Sequence, residues 1–281
     1  MIYNFKAFTK SSDYLVNGKK GLIFICKTSS RFGFRISVKV FGPLLDFADV
    51  EKSDLDELSR IIEPYEYAYL YSNINYSEEW EFNLRKLGFS SRIGQSKSFL
   101  TYIINPQEYS LSRSAKRNIR LLLAKERMEI KESVSYQSYK QSQLMKRLKP
   151  YDEEMFNNIL SEDGVRVFSL FVSGRLVCSR VIYIKENKAS DIFAWQTEKV
   201  RGATYYLVDE IFKILASNGV LFFDFSGIPI GRDGAEGVAD FKMSFKGGQL
   251  NRIVGEWSRI KTKTKWKQIS LQFYEYFSKK Y

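Results

Sequence analysis

The residues of this chain best suited to chemistry crowd into one stretch near its end. Asp224 is the single charge in the apolar run Val220–Phe225, the pattern of a buried strand. A glycine-rich loop follows from Ser226 to Glu236, and then Gly237-Val-Ala-Asp-Phe-Lys-Met-Ser-Phe-Lys-Gly-Gly248. Helical spacing there predicts Phe241 and Phe245 on one face, with Lys242 and Lys246 beside them. A lysine behind such a turn suits an anionic or carbonyl-bearing ligand. It can stabilise a developing oxyanion or grip a phosphate, and the neighbouring ring can stack on a base. A second set lies on the helix predicted over Leu111–Arg127. Arg113, Lys116, Arg117 and Arg120 fall at i, i+3, i+4 and i+7, so they share one face, opposite a stripe of Leu111, Ala115, Ile119 and Leu122 or Leu123. Such a face binds phosphates, or it is a solvated outer surface.

Composition narrows the chemistry further. The 281 residues contain no histidine, which excludes Ser–His and Cys–His nucleophiles and any imidazole metal site. No metal is expected. Cys26 and Cys178 sit in strand-like runs and read as buried hydrophobes in a reducing compartment. With 44 basic against 32 acidic residues the net charge is +12, which favours anionic partners: phosphates, nucleotides, RNA or an anionic membrane face. There is no apolar leader and no apolar run of membrane-spanning length, so a cytoplasmic protein is expected, with peripheral contact at the inner membrane face as an option.

The elements that must position these residues alternate in type. Strands are predicted at Leu22–Cys26, Phe34–Val40, Tyr67–Tyr71 and Ser98–Ile104, with helices at Ser53–Ile62 and Ser77–Leu87 between them. Beyond the basic helix come a strand (Met128–Ser133) and two helices (Tyr136–Leu148 and Asp152–Leu160). A meander follows: Val165–Val172, Leu176–Ile184 and Ser190–Trp195, with turns at Ser173-Gly174 and Lys185–Lys188. A helix over Gly202–Ala216 leads into the strand that carries Asp224, and a strand over Gln249–Trp257 follows Gly247-Gly248. A basic, aromatic helix is predicted over Lys261–Tyr281.

Asp224-Phe-Ser-Gly227, followed by Gly237-Val-Ala-Asp-Phe-Lys-Met-Ser-Phe-Lys-Gly247, resembles the Fem family of aminoacyltransferases. In that family a strand ending Asp-Phe-x-Gly precedes Gly-(Val/Leu)-x-x-Phe-Lys-x-x-Phe-(Gly/Lys)-Gly. Gly42-Pro43 and Leu87-Gly88-Phe89 match marks of the family's first domain, and Arg117, Ile119 and Arg120 match the helix that opens its second. The resemblance implies an α/β (α+β) chain of two domains of the GNAT acyltransferase fold, with mixed, mainly antiparallel sheets flanked by helices. They are expected at residues 1–105 and 106–281, the second carrying the Phe-Lys motif. It also implies transfer of an aminoacyl group from aminoacyl-tRNA to an amine of a pyrophosphate-bearing peptidoglycan precursor, a step of cell wall biogenesis, with no cofactor. Lys242 and Tyr206 would be catalytic. Phe241, Tyr205, Asp224, Arg113, Lys116, Arg117 and Arg120 would bind substrate. The long coiled-coil arm of some members is not expected here, because no heptad run occurs. Glu198-Lys-Val-Arg-Gly-Ala203 is a degenerate form of the loop that cradles the pyrophosphate of CoA in GNAT enzymes. It leaves an acyl-CoA-dependent N-acyltransferase of a sugar or envelope precursor as the alternative. A non-catalytic RNA- or envelope-binding protein is a second one.

Overall fold

The computed structural model describes residues 14–17, 23–31, 34–41, 52–91, 100–228 and 236–261. Gly42-Pro43, the middle of the glycine-rich loop and the helix expected beyond Lys261 lie outside the described residues.

In chain order the elements begin with β1 (Tyr14–Asn17), β2 (Ile23–Arg31), β3 (Phe34–Phe41), α1 (Lys52–Ile62), β4 (Tyr67–Asn75), α2 (Glu78–Lys86) and β5 (Ser90–Ser91). They continue with β6 (Leu100–Ile104), β7 (Ser110–Leu111), α3 (Arg113–Leu123), β8 (Met128–Lys131), α4 (Tyr136–Met145) and α5 (Glu153–Leu160). The rest are β9 (Val165–Val172), β10 (Arg175–Lys185), β11 (Lys188–Gln196), α6 (Ala203–Ser217), β12 (Phe222–Ile228), α7 (Glu236–Met243), β13 (Phe245–Lys246) and β14 (Gln249–Ile260). By contact the described residues form two compact units. One holds Leu100–Asn251, and the other holds the described residues before Leu100 together with those from Arg252 on.

In the earlier unit β1, β2 and β3 run antiparallel, and β3 pairs parallel with β4 across the α1 crossover. Residues Ile253–Ile260 of β14, which follow the Phe-Lys motif in sequence, pair antiparallel with β4. Leu58 and Ile62 of α1 and Trp80 and Leu84 of α2 are buried against Val38, Leu70, Val254 and Trp257. Ser77 caps α2 by accepting from the Trp80 amide at 3.1 Å, with Glu78, Glu79 and Glu81 in the first turn, where the helix dipole favours acids.

The later unit is organised by the β8–β9–β10–β11 meander, antiparallel throughout. Two-residue turns close two of its hairpins. Ser173 and Gly174 both take positive φ (48° and 81°), as the twist of a tight hairpin demands. From β11 the chain crosses over through α6 and returns as β12, parallel to β11 and antiparallel to β6. Six residues of α6 are buried: Ala203, Leu207, Val208, Ile211, Phe212 and Leu215. Helix α3 buries Ala115, Ile119 and Leu122 of its predicted stripe, and leaves Leu123 exposed. The helix is shorter than the span Leu111–Arg127 expected for it, starting at Arg113 and stopping at Leu123.

The Phe-Lys motif does not form one continuous helix. Helix α7 ends at Met243, and Phe245 stands in β13, paired with Leu111 of β7. Phe245 is fully buried, in contact with Phe212 and Phe225, and this packing overrides helical spacing. Gly248 explains the glycine pair. A Cβ there would lie 2.5 Å from the Tyr102 ring and 2.7 Å from the Ile103 carbonyl oxygen. The Tyr102 hydroxyl donates to the Phe245 carbonyl at 2.6 Å and accepts from the Gly248 amide at 3.1 Å, tying β6 to the motif.

Candidate active site

Strand β12 carries an irregularity between Asp224 and Gly227, where Ser226 adopts φ 61°. A left-handed non-glycine residue costs about 1 kcal/mol or more and needs its surroundings to hold it. Here the Ser226 amide donates to Asp224 Oδ1 at 2.7 Å, and its hydroxyl donates to the Asp191 carbonyl at 2.6 Å. The kink turns three successive carbonyls toward α7. Lys242 Nζ donates to those of Phe225 (2.6 Å), Ser226 (3.3 Å) and Gly227 (2.8 Å).

Lys242 is therefore a buried cation, only 8% exposed. Burial pushes its ammonium down to about 8. Asp191 opposes that shift, Arg180 adds to it and Asp224 opposes it again. Asp224 sits behind this arrangement, its carboxylate accepting from the Thr101 hydroxyl as well as from the Ser226 amide. Burial raises its pKa, against the pull of those two bonds and of Lys242.

In front of Lys242 lies a cavity of about 600 Å³, within the usual range for small-ligand sites. Its walls bring together Lys146, Arg180, Arg201 and Lys242 with one carboxylate, Asp191, among the described residues. Arg180 and Asp191 form an ion pair in which the side chains are 7% and 9% exposed. The Arg180 guanidinium lies over the Phe241 ring, 5.1 Å from its centroid, and Tyr205 packs on Phe241 at 5.1 Å. Burial and the nearby Arg180 lower the Lys146 ammonium as well.

The cavity reaches the start of α6. Gly202 caps that helix at φ 89° with no side-chain hydrogen bond, so the first-turn amides lack a side-chain partner there. Glycine is required at this position for a second reason. A Cβ would stand 2.5 Å from the Asn118 carbonyl oxygen of α3. Arg201 Nε donates to Asn118 Oδ1 at 2.8 Å, fastening the loop to α3.

Of the residues singled out in the sequence, Lys242, Phe241 and Tyr205 line the cavity. Tyr206 does not. It packs against the core, where burial and Glu210 raise its hydroxyl pKa. Asp224 supports the kink and lies outside the lining. Arg113, Lys116, Arg117 and Arg120 stand exposed on the outer face of α3, which reaches the cavity through Asn118. Sequence reasoning missed Arg180, Asp191, Lys146 and Arg201. The available signal was one charge in the interior of each of two neighbouring apolar strands, Arg180 in β10 and Asp191 in β11, the other charges of both strands lying at their ends. Cys178 of β10 also lines the cavity, with its thiol pushed up to about 12 by burial. Among the described residues no group of acids and cysteines could hold a metal ion, and no helix is long and apolar enough to cross a membrane.

No protein-family profile and no curated protein matches this sequence. Solved structures do match. FemX superposes with a TM-score of 0.63 at 13% identity, over 89% of this chain and 89% of that one. The C-terminal domain of a putative lysylphosphatidylglycerol synthetase from Agrobacterium fabrum gives 0.59 at 12% identity, over 92% and 87%. A tandem GNAT protein from the clavulanic acid biosynthesis pathway gives 0.53 at 9% identity, over 91% and 86%. The chain thus has a Fem-like acyltransferase fold of the tandem GNAT type, with mixed, mainly antiparallel sheets flanked by helices.

Proposed function

We propose that the chain is an aminoacyltransferase that takes an aminoacyl group from aminoacyl-tRNA and passes it to an amine of a pyrophosphate-bearing peptidoglycan precursor. The observation that carries this reading is the cavity, in which four cations and the start of α6, whose Gly202 cap makes no side-chain hydrogen bond, converge on Phe241 and Tyr205. Cations and a helix N-terminus suit the terminal phosphates of an RNA, and aromatic rings suit its terminal base. Similarity in fold to FemX and to a putative lysylphosphatidylglycerol synthetase, the latter named for an aminoacylated product, supports the same choice.

In the reaction the acceptor amine attacks the ester carbonyl carbon, a C–N bond forms and the C–O bond to the ribose breaks. The proton lost by the amine ends on the ribose hydroxyl. Positioning and stabilisation of the oxyanion supply most of the acceleration for such a step. All three Lys242 protons are already engaged by carbonyls, so its contribution is the field of a fixed positive charge rather than a free donor. Tyr205, which lines the cavity, is a better proton carrier than Tyr206. The exposed basic face of α3 would hold the acceptor's pyrophosphate.

An acyl-CoA donor is the second reading. It is favoured by the extent of the cavity to the start of α6, where GNAT enzymes hold the CoA pyrophosphate. Mass spectrometry of an acceptor pool, incubated with the protein and either charged tRNAs or acetyl-CoA, tests both. A mass gain of an amino-acid residue supports the first reading, and a gain of an acetyl group supports the second. Binding of RNA with no gain from either donor leaves a binding protein.

A further inference from the structure

We propose that the buried Arg180–Asp191 pair is the subsite for the α-ammonium and carbonyl of the transferred group, so that the enzyme selects aminoacyl over plain acyl donors. This rests on the aminoacyl reading above. Arg180 uses Nη1 to bond Asp191 Oδ2, which leaves Arg180 Nε and Asp191 Oδ1 buried without a hydrogen-bond partner. Both side chains are more than nine-tenths buried, and both residues line the cavity. A half-satisfied buried pair is costly, because an orphaned charged atom keeps its full desolvation penalty. The two orphans are complementary in type. Oδ1 calls for a cationic N–H donor, and Nε calls for an acceptor.

An aminoacyl ester carries that combination on adjacent atoms, an ammonium on Cα and a carbonyl oxygen one bond further on. An acetyl or other unsubstituted acyl group supplies only the acceptor and leaves Oδ1 unmet. Charge points the same way. Lys146, Arg180, Arg201 and Lys242 repel an ammonium, and Asp191 is the one carboxylate among the described residues of the lining. The Asp191 carbonyl is also bonded to the Ser226 hydroxyl, so the kink that seats Lys242 holds the backbone of Asp191 in place. A site built to hydrogen-bond a substrate group rejects analogues that lack the group, because its own buried atoms stay unpaired.

The test uses calorimetric titration of the full chain with 3′-aminoacylamido-3′-deoxyadenosines (alanyl, seryl and lysyl) and with their desamino counterparts. The wild-type chain should bind at least one amino-bearing probe about ten- to a hundredfold more tightly than its desamino partner. Asp191→Asn should bind both at the wild-type desamino level, and that retained affinity also reports a folded cavity. Because the change leaves Arg180 without its counter-ion, Arg180→Met/Asp191→Leu serves as a second variant. It removes the pair as a unit and should likewise lose the preference. Equal affinity of the wild type for both probe classes overturns the inference while leaving a tRNA-type donor in place. So does a preference that survives in either variant. Failure of every probe to bind overturns the aminoacyl reading itself, and this inference with it.

Discussion

Lys242→Met tests the electrostatics of the site independently of any substrate. In the folded chain the Lys242 ammonium is held at about 8, against its ordinary value of 10.5. The unfolded chain therefore keeps this proton up to pH 10.5, while the folded chain releases it near pH 8. Stability rises with pH wherever the unfolded state binds more protons. Across that window Lys242 should make the native state progressively more stable, and below pH 8 the full cost of the buried charge is present. The interval corresponds to about 3 kcal/mol, taking about 1.4 kcal/mol per pH unit. Methionine has no such proton. Urea unfolding of both proteins between pH 7 and 10.5, read as the difference between them, cancels the tyrosines that titrate alongside. The wild type should gain about 3 kcal/mol on the variant over this range. At pH 7 the variant leaves the Phe225, Ser226 and Gly227 carbonyls without their donor but also removes the desolvated charge, so the two terms oppose each other. A difference that stays flat with pH would show that Lys242 is not a desolvated cation. The account of the site as a fixed buried charge would then fail.

Three further outcomes can be measured. Gly202→Ala forces a Cβ to within 2.5 Å of the Asn118 carbonyl and places a side chain at φ 89°; it should cost about 2 kcal/mol or more in urea unfolding, whereas Gly219→Ala, with open space around it, should show only the milder backbone cost of its positive φ. Cys178, with its thiol near 12, should resist iodoacetamide at pH 8 in the folded chain and react on unfolding, which timed mass spectrometry will read. Arg117→Ala/Arg120→Ala should weaken binding of a pyrophosphate-bearing acceptor, more strongly at low salt, with thermal stability unchanged because both side chains are exposed; unchanged affinity would make the face a solvated surface only.

How far the sequence reveals this molecule depends on the range of the forces involved. Alternation, turn residues and helical spacing act within a few neighbours, and they mark the meander, the βα crossovers and the spans of α2 and α5 to within a few residues. Lys242 stands out for the same reason: a short helix after a glycine-rich turn is a local pattern. What the pattern does not contain is burial. Phe241 and Phe245 look like one helical face until Phe245 is drawn into the ring cluster around Phe212 and Phe225, which breaks the helix at Met243. Tyr205 and Tyr206 are adjacent in sequence, and only the docking of α6 decides that Tyr205 meets Phe241 and lines the cavity while Tyr206 does not. Arg180 and Asp191 are eleven residues apart on separate strands, and the register of the β10–β11 hairpin, with its shift between Val181 and Ile182, brings them together. A charge inside an apolar strand must find a partner or a ligand, since burying it alone costs several kcal/mol. That requirement can be read from sequence before any fold is known, and applied to β10 and β11 it leads to the two residues that local motifs leave out.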